Sequence, residues 1–396
     1  MQTTQPIHAD IDIAHLQEVA QGSIQVIQQV RTAMLAPVAR KSPPTFNSTA
    51  LGELCGVDKA KILYEDKKGR LPPGTKYGSR LEWSLEDGIT WVREFRKNKL
   101  RDPALAAGVV IAIANFKGGV TKTTTAVTLA QGLSLRGHKI LVVDTDPQGS
   151  LTTLFGVLPE SEVEEEQTIL PLCTGDSDSI MSAIQPTYWH GIDLVAAAPF
   201  LFNAEFILPS RQSGNQEFEF WRVLDRGLDE ARNVYDIIII DTPPSLSYIT
   251  INALIAAQGV VMPLPPSALD FASSTQFWSL FTDVCSGLFR ARGDNKKFHF
   301  VDVLLSRVDR ADSVHAAVRQ WIIAAYGSKV MPVEIPKTSI AATASAEFGT
   351  VYDLSTSSSQ GKTLKRAKDA YDQMVDYIEM QVAGVWSSDA QLMTKD

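Results

Sequence analysis

The segment Ile111-Ala-Ile-Ala-Asn-Phe-Lys-Gly-Gly-Val-Thr-Lys-Thr-Thr-Thr125 restricts the fold more than any other part of the chain. An apolar run enters a glycine pair, and a Lys-Thr step then opens a helical pattern. Glycines let a backbone wrap closely around phosphate oxygens. The amides at a helix N-terminus point at such an anion, and the helix dipole favours its charge. Lys122 is placed to reach the β- and γ-phosphates of a nucleotide, and the Thr123 hydroxyl to ligate Mg²⁺. The ordinary phosphate loop, GxxxxGK[ST], is missed at two positions. Phe116 stands at the first glycine, and Thr121 at the glycine before the lysine.

Two further segments agree with that reading. Leu141-Val-Val-Asp-Thr-Asp-Pro-Gln-Gly-Ser150 is an apolar strand ending in Asp144 and Asp146. At i and i+2 of a strand, both carboxylates point to one side. Tyr235-Asp-Ile-Ile-Ile-Ile-Asp-Thr-Pro-Pro-Ser245 is a hydrophobic strand with Asp241 at its end, placed to hold Mg²⁺ through water. Pro243-Pro244 stiffens the loop that follows. Each segment has a bland reading, because a Gly-Gly turn can simply join a strand to a helix and an Asp can cap one. Three of them in this order, each after a strand, make coincidence improbable. Further strands are expected at 109–115, 140–144, 192–196, 236–241, 259–264, 298–305 and 330–335. Their apolar runs lack alternation, as when helices cover both faces of a sheet. The fold class is therefore α/β, a doubly wound, mostly parallel sheet over 108–396, closing with a helix from Gln360 to Val385.

A chain of 396 residues has room for two or three domains, and charge separates them. The net charge is −8, yet Arg40 to Arg101 carries 14 Lys and Arg against 8 Asp and Glu, which leaves −14 elsewhere. A basic block in an acidic chain points to a nucleic-acid face, or to no more than a solvated surface. Residues 41–107 hold a pattern that favours the first. Asn47 to Cys55 and Lys59 onward read as two short helices around a turn at Gly56-Val57-Asp58, with small Ala50 and Ala60 at the crossing. That is a helix-turn-helix pattern, whose second helix enters the major groove. Lys59, Lys61 and Lys67 flank it, Arg70 and Arg80 lie in a basic loop or wing, and Trp83 to Phe95 closes the module. Residues 1–40 hold an amphipathic helix from Asp10 to Leu35, weakened at Gly22 and ended by Pro37, suited to covering a neighbour or pairing with its own copy.

Cys55, Cys173 and Cys285 are far apart and odd in number, so neither a disulfide framework nor a zinc site is expected. No run of 18 apolar residues occurs, and the first ten residues lack a signal-peptide core, so the expected setting is cytoplasmic.

Lys117-Gly-Gly-Val-Thr-Lys-Thr-Thr124 resembles the deviant phosphate loop of the ParA/MinD ATPase family, KGGxGK[ST][ST], and the Asp144–Gly149 stretch resembles that family's DxDPQG motif. The resemblance covers most of residues 108–354. It implies ATP or ADP cradled by Lys117, Gly118, Gly119, Val120, Thr121, Lys122, Thr123 and Thr124, with Mg²⁺ held by Thr123, Asp144 and Asp241. By the same resemblance, Asp146 orients the attacking water. Lys117 would cross a dimer interface to the partner's nucleotide. Pro336 and Lys337, in Val333-Glu-Ile-Pro-Lys337, would contact the adenine. No paired cysteines suit a bridging metal cluster, and the acidic tail from Asp372 to Val382 suits no anionic lipid, so no membrane partner is expected.

The helix-turn-helix module makes the chain similar to the longer plasmid-partition members. They imply operator binding and repression through the N-terminal module, an ATP-driven homodimer on non-specific DNA, a ParB-type partner that stimulates hydrolysis, and association with the nucleoid. Lys362, Lys365 and Arg366, on one face of the last helix, are the candidate non-specific DNA contacts. A nucleotide-gated transcription or replication regulator with little turnover is the alternative.

Overall fold

The computed structural model describes residues 12–35, 41–290, 295–338, 349–353 and 361–393. The chain divides into two compact units, Met1–Ser42 and Pro43–Asp396. In the first, helix α1 (Ile13–Leu35) runs unbroken through Gly22. A glycine there costs about 1 kcal/mol against alanine, a cost that does not interrupt the helix. Ile13, Leu16, Val19, Ile24 and Val26 on it are exposed. Asp10, Ile11, Pro37 and Gln360, which bound the expected helices, lie outside the described residues.

The second unit begins with a small module. After β1 (Phe46–Asn47), the Asn47 side chain caps α2 (Ser48–Cys55) by accepting from the amides of Thr49 and Ala50. Gly56 ends α2 at φ 71°, the left-handed conformation that glycine adopts without strain. Asp58 then caps α3 (Lys59–Lys68), accepting from the Lys61 amide at 2.7 Å. The close crossing depends on Gly52 rather than on Ala50 or Ala60: a Cβ at Gly52 would lie 2.7 Å from the Val57 carbonyl oxygen. The chain continues into an antiparallel hairpin of β2 (Thr75–Tyr77) and β3 (Arg80–Trp83), and β3 also pairs with β1. Trp83, expected to open the closing helix, instead ends β3, and Ser84 caps α4 (Leu85–Phe95). The indoles of Trp83 and Trp91 meet edge to face at 5.9 Å, and both donate to the Pro72 carbonyl.

The large sheet comprises β4 (Val109–Ile113), β5 (Ile140–Asp144), β6 (Gln185–Pro186), β7 (Ile192–Val195), β8 (Ile237–Asp241), β9 (Gly259–Leu264), β10 (Phe300–Val308) and β11 (Val330–Pro336). Among the described residues, its order is β11-β10-β9-β4-β8-β5-β7-β6, parallel throughout except for β6 against β7. The expected strands lie within two or three residues of these bounds. The pleat divides each run between two cores. Ile111, Val142 and Ile239 point into one with α5 (Lys122–Ser134) and the C-terminal helix Gly361–Met393; Ala112, Val143 and Ile240 point into the other. That division requires apolar residues at every position of the central strands, which is why the sequence shows runs rather than alternation.

The module and the sheet share one of these cores, since Ile62, Trp83, Ile89 and Val92 belong to the same cluster as Ile111 and Leu129. Polar contacts fix the joint. Arg93 donates to the Gly137 carbonyl, and Arg96 to the Arg136 carbonyl at 2.8 Å. Arg101 is buried and pairs with Asp236 at 2.9 Å while donating to the carbonyls of Ala106, Arg232 and Asn233. A buried charge pair held this way is costly to break from one side.

Candidate nucleotide site and nucleic-acid surfaces

The sheet order places the three sequence motifs together. β8 lies between β4 and β5, and its register sets Asp241 opposite Ile113 on one side and Asp144 on the other. From β4 the chain crosses to β5 on one side, whereas β9 lies on the other side. The carboxyl ends of these strands therefore open into the crevice where doubly wound sheets bind ligands.

The loop from Asn115 to Lys122 lines that crevice. Asn115 fixes its start, donating to the Pro263 carbonyl and accepting from the Lys117 amide. Phe116 stands where an ordinary phosphate loop has glycine because its ring packs edge to face on Phe277, 4.7 Å away. Gly119 has φ 75° and Thr121 φ 77°. A threonine in the left-handed region costs about 1–2 kcal/mol, so the loop keeps a glycine-like turn under strain and presents the N-terminus of α5 to the crevice. Lys122 is buried, and its Nζ donates to the Lys117 carbonyl at 3.0 Å. Burial pushes its pKa down, opposed by the charges of Asp241 and Asp146. Gly118 and Gly119 are exposed at the loop's crest; Val120 is buried and its carbonyl accepts from Ser306.

Thr123 donates its hydroxyl to Asp241 Oδ2 at 2.7 Å. The other oxygen, Asp241 Oδ1, is buried without a hydrogen-bond partner. Burial, reinforced by the charge of Asp144, raises the Asp241 pKa well above the ordinary carboxylate value. A buried acceptor without a donor is the condition a cation relieves, so this pair fits Mg²⁺. Among the described residues, no group of three His, Cys, Asp or Glu forms a metal cage. Asp144, also expected at the metal, has both carboxylate oxygens hydrogen-bonded within the chain. Its Oδ1 accepts from the Asp146 amide and its Oδ2 from the amide and hydroxyl of Thr152. Burial raises its pKa to about 7 despite these donors. Its carboxylate is thus committed to the loop that carries Asp146. Asp146 is partly exposed, and one of its oxygens accepts from the Gln148 amide.

Other expected residues lie apart from this cluster. Pro336 ends β11, and Lys337 donates its amide to Val308 while its Nζ sits 3.8 Å from Asp309. Pro336 lines a cleft of about 760 Å³ together with Lys362, Lys365 and Arg366, so the candidate adenine contact and the candidate DNA cations meet there. These three cations are exposed, while Leu364, Ala367 and Tyr371 on the opposite face are buried. In the small module, Lys59, Lys61, Lys67, Arg70 and Arg80 are all exposed. Helix α3 buries Ile62 alone, and Lys61 and Lys68 lie 5.6 and 4.3 Å from the centroid of the exposed Tyr64 ring.

Three residues near the loop escaped the sequence reading. Arg307 donates to the Gly119 carbonyl at 3.1 Å from a left-handed backbone, φ 53°. Thr152 anchors Asp144 as described. Asp270 meets Lys117 Nζ at 2.9 Å. Asp270 and Arg307 are far from their partners in sequence and Thr152 is eight residues past Asp144; the one available signal was position, just past or at the carboxyl end of a strand.

This geometry defines a phosphate-loop site at the switch point of a parallel α/β sheet. A family model described as an AAA domain matches residues 108–288. A putative replication protein A from Sinorhizobium fredii is 30% identical over 363 residues, covering 88% of this chain and 89% of its own. The chromosome partitioning protein ParA of Caulobacter vibrioides is 31% identical over 266 residues, 66% of this chain and 92% of that one. A solved structure named "Partition Protein" shares the fold with a TM-score of 0.65 at 18% identity, over 92% of this chain and 98% of its own. A cobyrinic acid a,c-diamide synthase from Mycobacterium smegmatis, solved with bound ADP and magnesium, gives a TM-score of 0.52 at 27% identity, over 68% of this chain and 93% of that one. The chain belongs to the ParA-type partition ATPase family, in which the resemblance read from its three motifs had placed it. Among the described residues, no helix is long and apolar enough to cross a membrane. The three cysteines are free, and burial pushes the thiols of Cys55 and Cys173 up to about 12.

Proposed function

We propose that the protein binds ATP with Mg²⁺ in the crevice, dimerises on it, and couples its hydrolysis to DNA binding in plasmid or chromosome partition. The observation that carries this reading is the Thr123–Asp241 pair at 2.7 Å, with one carboxylate oxygen left unpartnered beside the Lys122 loop. Lys122 leaves the Lys117 carbonyl for the β- and γ-phosphates, and the loop amides take the remaining phosphate oxygens. Thr123 and Asp241 would hold Mg²⁺, which would supply charge neutralisation to the phosphates. Asp144 acts at one remove, fixing the loop that presents Asp146 to the attacking water. Lys117 serves the partner's nucleotide. Arg307 adds a cation beside the cradle, and Pro336 and Lys337 remain the candidates for the base.

Two DNA-binding surfaces accompany this site. The exposed cations of α3 and the hairpin, Lys59, Lys61, Lys67, Arg70 and Arg80, take an operator and support repression of the protein's own operon. Lys362, Lys365 and Arg366 take the backbone of any duplex in the ATP dimer. A ParB-type partner stimulates hydrolysis and releases the dimer from the nucleoid. The placement of Asp146, partly exposed on a loop anchored by Asp144, favours turnover over a pure nucleotide switch. The deciding measurement is ATP hydrolysis with Mg²⁺, with and without DNA and a cognate partner, for wild type and Asp146→Ala. The variant should keep ATP binding and lose on the order of 10²-fold in single-turnover rate. Equal rates for the two proteins would remove Asp146 from the chemistry, and no hydrolysis by wild type would favour the nucleotide-gated regulator.

A further inference from the structure

Both lysines of the phosphate loop are held by this chain's own groups. Lys122 is on the loop's Lys117 carbonyl, and Lys117 Nζ is 2.9 Å from Asp270 Oδ1. Asp270 is no chance neighbour. It lies in the first turn of the helix Ala268–Arg290, where the Ser267 hydroxyl donates to its Oδ2 at 2.7 Å and accepts from its amide at 3.2 Å. One carboxylate oxygen is therefore fixed by Ser267 and the other is aimed at Lys117. The carboxylate side chain is 13% exposed, against 40% for the lysine, so the acid is the rigid partner and the lysine the movable one. Seven residues along, on the same face of that helix, Phe277 receives the Phe116 ring. The start of the phosphate loop is thus docked on one helix face by two adjacent side chains, one through an apolar contact and one through an ion pair.

We infer that Asp270 is a positioning residue that parks Lys117 within its own subunit and so sets the threshold for ATP-driven dimerisation. This rests on the reading of Lys117 as the lysine that serves the partner's nucleotide. A lysine cannot pair with Asp270 and reach a phosphate across an interface at once. Each subunit must break its 2.9 Å pair before the dimer closes, and the phosphate charge of the opposite nucleotide is what replaces the carboxylate. Phe116 stays on Phe277, so the loop backbone keeps its place while the lysine side chain swings.

The test is the dimer dissociation constant in a slowly hydrolysed ATP analogue with Mg²⁺, measured on the full chain by analytical ultracentrifugation for wild type, Asp270→Asn, Asp270→Glu and Lys117→Ala. Asn keeps the Ser267 contact and the volume but loses the charge. A half-exposed ion pair contributes up to about 1 kcal/mol, and two are broken per dimer, so Asp270→Asn should dimerise roughly 5- to 30-fold more tightly. Affinity of the monomer for the analogue should be unchanged, and Asp270→Glu should return the constant towards wild type. The tightening should also fade at high salt, which a packing effect would not do. An unchanged or weaker dimer for Asp270→Asn, with Lys117→Ala impaired, overturns the parking role and leaves the lysine's role intact. Normal dimerisation of Lys117→Ala overturns both.

Discussion

Glu379 on the C-terminal helix joins three parts of the second unit. Its carboxylate accepts from Arg96, just past the end of α4, at 2.8 and 3.1 Å and lies 2.7 Å from His138 Nε2, just past α5. Arg136 is 4.0 Å away. Burial pushes the carboxyl up, but the hydrogen bonds and charges of His138 and Arg96 outweigh it and hold the group down at about 2 against an ordinary 4.5. A depression of that size corresponds to about 3 kcal/mol, or about 2 kcal/mol once partial solvent exposure is discounted. Glu379→Gln keeps the volume and removes the charge, so at pH 7 the variant should be about 2 kcal/mol less stable. The sign with pH follows from the depression. The contribution is complete above the unfolded value near 4.5 and is lost as pH falls towards about 2, so the gap between the proteins should shrink by about half between pH 5 and pH 3. Urea unfolding of the full chain at these pH values measures both effects, with unchanged m-values as the check that the unfolded state is the same. A gap below about 0.5 kcal/mol at pH 7 would refute the assignment of the depressed pKa to this cluster. So would a gap equally large at pH 3, which would point to lost packing instead of lost charge.

Three further perturbations test other parts of the molecule. Thr121→Gly relieves a left-handed threonine worth about 1–2 kcal/mol, partly offset by the chain entropy of glycine at about 0.5–1 kcal/mol. A net gain of about 0.5–1 kcal/mol in urea unfolding is expected, and a loss would show that the side chain contributes more than the strain costs. Lys59→Ala with Lys61→Ala should weaken operator binding while leaving ATP turnover intact. Lys365→Ala with Arg366→Ala should lower the salt slope of ATP-dependent binding to any duplex by roughly 2 in gel shifts over a salt series.

The sheet was readable because burial on both faces leaves a mark on every residue of a strand. Ile237 to Ile240 can be little else than a central strand, and β5 and β9 match their expected bounds to the residue. The small antiparallel sheet left no such mark. Thr75, Lys76 and Tyr77 in β2 are all exposed, and β1 has two residues, so neither carries an apolar period. Their strand character comes from pairing with β3; Trp83 belongs to that strand, and the helix expected from Trp83 starts only after Ser84, whose hydroxyl accepts from the Asp87 amide.

The site divides along the same physical line. Candidate residues placed by the backbone next to them were readable. Glycines, a lysine and hydroxyls at a helix start, and acids at strand ends all declare themselves in a few consecutive positions. Residues that act across the fold were not. Asp270 lies 153 positions from Lys117, and Arg307 lies 188 from Gly119. Each is an ordinary charged residue in its own neighbourhood. Asp144 shows the distinction within one motif. Its place at the strand end was readable, but its hydrogen bonds from the amide and hydroxyl of Thr152 were not. Asp241, in the matching position of the adjacent strand, has only the Thr123 hydroxyl and keeps one oxygen unpartnered. Two acids in register, one strand apart, thus differ in their partners: Asp144 has both oxygens hydrogen-bonded, and Asp241 has one oxygen open.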